Sequence, residues 1–245
     1  MTAPAQTDFY AAFLHELNQP LTTLRNLLEL TTYRESNDWP AVIESALHNV
    51  DRMVELLDLM GELSHFERMP VPSIPVDMAE LLREALEDLG ASAAVDGRTL
   101  TGSGVESPVW VMAAAGPLRS ALFRILADAV HHMGEGQTVN VTLRICSGRP
   151  NENSLDAPAS GPSAVICEIA YPEPGLAQNE SEALLAMART GRGTRGGITR
   201  RVFRLALCLR VLVLQGVRLE VLAGAKESWL LRLALPAAAR EHPVD

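Results

Sequence analysis

Phe13-Leu14-His15-Glu16-Leu17-Asn18-Gln19-Pro20-Leu21-Thr22 sets a histidine beside a carboxylate inside an apolar helical repeat, with a proline closing the run. Around it Phe9, Phe13, Leu17, Leu21, Leu24, Leu28 and Thr31 recur at spacings of three or four, one stripe down a long helix. Thr7 and Asp8 are N-cap candidates for a start near Phe9. Pro20 removes a backbone donor and crowds the preceding turn, so a kink is expected there. Asn37-Asp38-Trp39-Pro40 starts a second helix, with Asp38 the expected N-cap and Pro40 in the first turn. Val42, Leu47, Val50, Val54, Leu57, Met60 and Leu63 carry a stripe along it to about Phe66. Two long helices joined by a short turn form an antiparallel hairpin. One hairpin leaves apolar surface exposed, and pairing two into a four-helix bundle buries it. A homodimer is therefore expected.

The chain of 245 residues has room for one large or two modest domains. A net charge of −9 argues against a nucleic-acid partner, because basic residues do not dominate. The one basic cluster, residues 189–204, is local and is read as a solvated helix start. The three cysteines, Cys146, Cys167 and Cys208, stand in apolar runs and are read as reduced buried thiols. No CxxC or HExxH spacing occurs, so no metal centre is expected. Residues 1–7 carry no basic or apolar leader, and no run of about 18 apolar residues offers a membrane span. A soluble cytoplasmic protein is expected, without membrane contact.

Residues 1–68 form the hairpin domain in this reading. Met69-Pro70-Val71-Pro72-Ser73-Ile74-Pro75 breaks the helical pattern and is read as a linker over 69–75. Residues 76–245 form the second domain. There the sequence predicts a helix over 79–89, a strand over 109–112, a helix over 117–132, and strands over 139–146 and 164–171. Residues 147–163 are rich in Ser, Pro, Asn and Gly and are read as a hairpin loop. A strongly apolar helix over 198–215 and strands over 217–222 and 228–235 close the chain. The fold class is α+β: an antiparallel helical hairpin, dimerising as a four-helix bundle, followed by an α/β sandwich.

A neutral imidazole is nucleophilic, and its ordinary pKa of about 6.5 keeps it largely neutral at pH 7. Glu16 is placed in sequence to accept a hydrogen bond from Nδ1 of His15, leaving Nε2 free, or to serve as a general base. Gln19 falls one turn later on the same face, about 6 Å along the axis. His48 and His65 lack such a context and are read as structural. His131 and His132 end a helix, where cations suit the dipole.

The run from Phe13 to Thr22 resembles the phosphoacceptor box of two-component histidine kinases. The order of hairpin then α/β layer resembles their dimerisation-and-phosphotransfer domain followed by an ATPase-type catalytic domain. The resemblance covers about residues 9–236. It implies that His15 carries a phosphoryl group and that Glu16, the acid after the histidine, assists it. Gln19 would stand where related proteins place a water-orienting Thr or Asn. Receiver domains of response regulators are the implied partners.

The same resemblance exposes losses in the nucleotide half. The family's asparagine-rich helix corresponds to residues 122–130, where Arg124 and Asp128 replace the two asparagines. Asp128 retains a hard oxygen donor for Mg²⁺; Arg124 would instead meet a phosphate or cap the site with its own charge. The family's Asp-x-Gly-x-Gly corresponds to Tyr171-Pro172-Glu173-Pro174-Gly175, in which only Gly175 fits. Gly191-Arg192-Gly193-Thr194-Arg195-Gly196-Gly197 has the composition of a phosphate-cradling turn. Alignment on the helix end, Leu214-Gln215-Gly216-Val217, instead puts residues 200–205 where those glycines belong.

These departures point to a phosphotransferase that binds no cofactor and resembles the dimeric histidine phosphotransferases of sporulation and cell-cycle phosphorelays. Two alternatives stand beside it. One is a divergent ATP-dependent kinase core, with ATP and Mg²⁺ held by Asp128, Gly175 and the 191–197 loop. The other is a non-catalytic dimeric scaffold that regulates a kinase or receiver.

Overall fold

The computed structural model describes residues 6–33, 39–69, 71–146, 164–172, 175–194, 198–223 and 228–238. The expected N-cap Asp38, the loop over 147–163, Glu173 and residues 195–197 lie outside these.

A short strand β1 (Gln6–Asp8) runs into helix α1 (Phe9–Tyr33). Asp8 caps it, its Oδ1 accepting from the Ala11 amide at 2.8 Å. The helix continues through Pro20. Downstream of the proline, the Thr22 and Thr23 hydroxyls donate back to the carbonyls of Asn18 and Gln19. Helix α2 (Trp39–Arg68) completes the hairpin.

Two apolar faces run along α2, and the sequence stripe starts on one and ends on the other, with Leu63 buried and Met60 packed against the core. Leu47, Val50, Val54 and Leu57 from that stripe are exposed on the single chain. Leu56, Leu59, Leu63 and Phe66 are buried at spacings of three and four, and the three leucines pack into the main core. Burying a side chain of this size stabilises by about 1.5–3 kcal/mol, so this second face fixes the hairpin to the following domain.

Strand β2 (Ile74–Asp77) takes Ile74 and Pro75 out of the expected linker and pairs them with Ala113 and Met112. Helix α3 (Met78–Val95) is capped by Asp77, which accepts from Ala79 and also from Val109. It outruns the expected end at Leu89 because Ala91, Ala93 and Ala94 favour helix. The turn that follows uses Gly97 at φ 66. Then come β3 (Thr99–Ser103), β4 (Trp110–Ala113), α4 (Ala115–His132), β5 (Thr138–Cys146) and β6 (Ala164–Tyr171).

Helix α5 (Gln178–Thr190) lies in a stretch the sequence reading assigned to no element. Its start is held by Glu180, whose carboxylate accepts from the Ala177 amide at 2.9 Å. Gly191 ends it in the left-handed region at φ 74. Strand β7 (Arg192–Thr194), helix α6 (Arg200–Leu214), β8 (Arg218–Ala223) and β9 (Trp229–Pro236) complete the chain. The five-stranded sheet has the order β3-β5-β6-β9-β8, with only the β3–β5 pair parallel. Val141, Leu143, Cys167, Ile169, Leu231 and Leu233 face the helices from it. Cys146, Cys167 and Cys208 are free thiols, and burial pushes Cys167 and Cys208 up to about 12.

The two parts of the chain are joined by more than the linker. β1 pairs antiparallel with β7, Thr7 opposite Gly193. The Phe9 amide donates to the Gly191 carbonyl, and the Phe9 ring lies 6.1 Å from that of Phe203. Three carboxylates of α2 meet basic groups of the second domain: Glu55 with Arg204, Glu62 with Arg124 at 3.2 Å, and Glu67 with Arg210 at 3.6 Å. Exposed pairs of this kind contribute little, about 0–1 kcal/mol each. The apolar contacts carry the docking, and the ion pairs set its register.

Candidate functional site: the His15 helix and the closed α4–α6 cleft

His15 lies exposed on α1, nearly two turns from the helix start. Gln19, four residues on, is exposed on the same face. Leu14 and Tyr10, four residues apart on a neighbouring face of α1, are also exposed. An imidazole so placed is open to a reactant from solvent.

Glu16 is not brought to the histidine. Successive helical residues diverge by about 100°, and Glu16 turns inward to 4 % exposure. No hydrogen bond joins it to His15, and its Oε2 is buried without a partner among the described residues. Burial pushes its carboxyl up from the usual range, opposed by His15, Arg52 and Arg204. Arg52 of α2 is itself held below its ordinary value, chiefly by burial. Glu16 thus faces the junction of α1, α2 and α6, where sequence adjacency had suggested a partnership with the imidazole.

The second cluster lies between α4, β6, β9 and α6. Tyr171 is fully buried at the end of β6, and its hydroxyl donates to the Ile125 carbonyl of α4 at 3.0 Å. Cross-strand register sets it opposite Trp229; the rings stack at 3.8 Å between centroids, 19° apart. The guanidinium of Arg201 lies 5.6 Å from the Tyr171 centroid and 5.8 Å from that of Trp229. Its Nε donates to Asp128 Oδ2 at 3.2 Å, while Asp128 Oδ1 faces His132 Nδ1 at 3.2 Å. Burial, then the charge of Asp128, pushes the Tyr171 hydroxyl well above the ordinary tyrosine range.

Asp128 and Arg124, aligned to nucleotide-holding positions, each have another partner. Asp128 Oδ2 accepts from Arg201, and His132 Nδ1 lies closer to the Asp128 backbone carbonyl, at 2.8 Å. Arg124, a candidate phosphate contact, donates to Glu62 of α2. Gly193 sits in β7, where a Cβ would fall 2.6 Å from Met187 and 3.2 Å from Ile198. Its glycine is required by packing of the strand on α5. Gly175 is half-buried beside Leu176, which packs against the core. The sequence reading missed Arg201 and Trp229, though the Tyr171–Trp229 pairing follows once β6 and β9 are registered.

Residues 5–68 match the His Kinase A (phospho-acceptor) domain. The Acinetobacter baumannii histidine kinase AdeS superposes with a TM-score of 0.65 at 15% identity, over 92% of this chain and 98% of that one. The hairpin is a His Kinase A phospho-acceptor domain, and the chain as a whole shares the fold of histidine kinases. Histidine kinase ThkA in complex with response regulator protein TrrA gives a TM-score of 0.65 at 12% identity, covering 94% of this chain and 61% of that one. Full-length ShkA in complex with AMPPNP gives 0.56 at 21% identity, over 93% and 44%. At these identities the likeness is one of fold. A phosphoacceptor hairpin precedes a domain with the ATPase-like fold, and among the described residues no helix is long and apolar enough to cross a membrane.

Proposed function

We propose that this chain is a histidine phosphotransferase whose His15 exchanges a phosphoryl group with receiver-domain aspartates, without ATP or Mg²⁺. The observation that carries the proposal is the filled cleft between α4 and α6. Where the superfamily resemblance expects an aspartate that reads a base, Tyr171 is stacked on Trp229. Where it expects an open metal ligand, Asp128 is bonded to Arg201. Phosphoryl transfer from a nucleotide depends on positioning and charge neutralisation, and the contacts these side chains already make weigh against both.

In the transfer step, Nε2 of His15 attacks the phosphorus of an aspartyl phosphate. The N–P bond forms as the bond from phosphorus to the carboxylate oxygen breaks, and the Nδ1 proton passes to solvent. The reverse step delivers the phosphoryl group to a second receiver carboxylate. Gln19, on the same face, is suited to contact the phosphoryl oxygens or a water. Leu14 and Tyr10 offer apolar area for a docking receiver. Glu16, turned inward, acts through the interdomain junction. A second hairpin covers the exposed Leu47, Val50, Val54 and Leu57, giving a homodimer.

The test is transfer of labelled phosphate from a receiver charged with acetyl phosphate. The parent becomes labelled and passes label to a second receiver, whereas His15→Ala does neither. Equal transfer by both proteins sinks the proposal. The kinase-core reading is favoured by retention of the whole α/β domain, and it requires label on His15 from Mg-ATP.

A further inference from the structure

We infer that Arg201 is an internal ligand: its guanidinium joins α6 to α4 and to the Tyr171–Trp229 stack. It thereby holds the cleft closed in the absence of any bound molecule. The inference deepens the nucleotide-free reading of the same cleft and rests on it.

Three observations converge on this residue. Arg201 lies in the first turn of α6, in the segment that alignment on the helix end places where the glycines of a phosphate turn belong. A long cationic side chain there projects into space that glycines would leave open. Its Nε reaches Asp128 on α4 at 3.2 Å, and both side chains are 15% exposed. Its planar face lies within reach of two aromatic rings, from β6 and β9. One group thus touches both residues aligned to the two ends of a nucleotide, Asp128 and Tyr171.

The chemistry is self-consistent. A largely buried carboxylate such as Asp128 needs a cation or donors, and Arg201 supplies a charged donor. The guanidinium lies beside the edges of the stacked pair, 5.6 and 5.8 Å from the two centroids, where a planar, weakly hydrated group packs at lower desolvation cost than an ammonium. Trp229 Nε1 is buried with no acceptor among the described residues, so the indole is held by stacking and packing. Removing the guanidinium would strip Asp128 of its cation and uncover the ring pair at once. That leaves a niche shaped and charged for guanidinium itself.

The experiment is chemical rescue on the full chain, read by thermal melting and near-ultraviolet aromatic dichroism. Arg201→Ala should melt several degrees below the parent, roughly 5 °C. Guanidinium chloride in the low millimolar range should recover part of that loss, while sodium chloride at equal concentration does not. The parent should gain nothing from guanidinium. An alanine variant that melts with the parent, or one that responds alike to both salts, overturns the inference. Should the alanine variant fail to fold, Arg201→Lys decides. It keeps a charge opposite Asp128 but loses the planar group, so it should melt below the parent with an altered aromatic spectrum. A melting point and spectrum equal to the parent's overturn the inference. In a separate arm, stabilisation of the parent by Mg²⁺ with a non-hydrolysable ATP analogue would sink the nucleotide-free reading. The guanidinium arm would still judge Arg201 by itself.

Discussion

The Tyr171 hydroxyl donates to the Ile125 carbonyl at 3.0 Å, tying the end of β6 to the middle of α4. Ile125 is helical, so its carbonyl accepts this bond beside its own helical one, and the phenol is satisfied inside the core. Tyr171→Phe keeps the ring and loses one buried hydrogen bond, a cost of about 1 kcal/mol. Tyr171→Asp, which restores the superfamily's residue type, buries an unpaired carboxylate next to Asp128 and should cost more than 3 kcal/mol. Urea unfolding of the two variants measures both; a harmless aspartate would show that the pocket is open.

Phe9 and Phe203 make the main aromatic contact between hairpin and second domain. Phe9→Ala should destabilise by about 3 kcal/mol. It should also raise amide exchange in β1 and β7, whose pairing starts at the adjacent residue. Exchange confined to α1, with β7 still protected, would show that the strand pair holds the domains without the rings.

Glu16 supplies a pH signature. Its carboxyl is raised in the folded protein, by burial first, so folding favours the protonated form. This group's contribution is fully present below the ordinary glutamate value and is lost as pH rises through the raised one. Glu16→Gln should therefore be more stable than the parent at pH 7, with the difference shrinking toward pH 4. His15, Arg52 and Arg204 face the group and oppose the shift, so the gain is modest. A glutamine variant less stable at pH 7 would mean that Arg52 and Arg204 outweigh burial.

Val54 and Leu57 lie on the exposed apolar face of α2, each about half exposed at 50% and 52%. Changing both to glutamate places charge where a second hairpin would pack. The variant should run as a monomer in light scattering, with the α/β domain still folded by dichroism, whereas the parent runs as a dimer. A monomeric parent would refute the four-helix bundle.

Much of this was legible in the sequence because local signals dominate there. The stripe from Phe9 to Leu28 and the strand over 164–171 were readable from period alone, and α6 from its apolar run. What escaped depends on tertiary pairing. β1 and β7 are three residues each and exist only because they meet. α2 has two apolar faces, and the sequence stripe ran from the uncovered one at Leu47 to Leu57 into the covered one at Leu63. His15 and Gln19 stand on one exposed face as spacing implied. Glu16 does not join them, since adjacency along a helix separates side chains. Arg201 carried no signal by itself; its significance comes from Asp128, Tyr171 and Trp229 converging on it from three other elements.

Titration calorimetry with Mg²⁺ and a non-hydrolysable ATP analogue asks directly whether the cleft is filled. With Arg201 bonded to Asp128 and Tyr171 stacked on Trp229, no saturable heat is expected. Saturable binding tighter than roughly 1 mM, a free energy beyond about −4 kcal/mol, would contradict a nucleotide-free phosphotransferase and make this chain a kinase core.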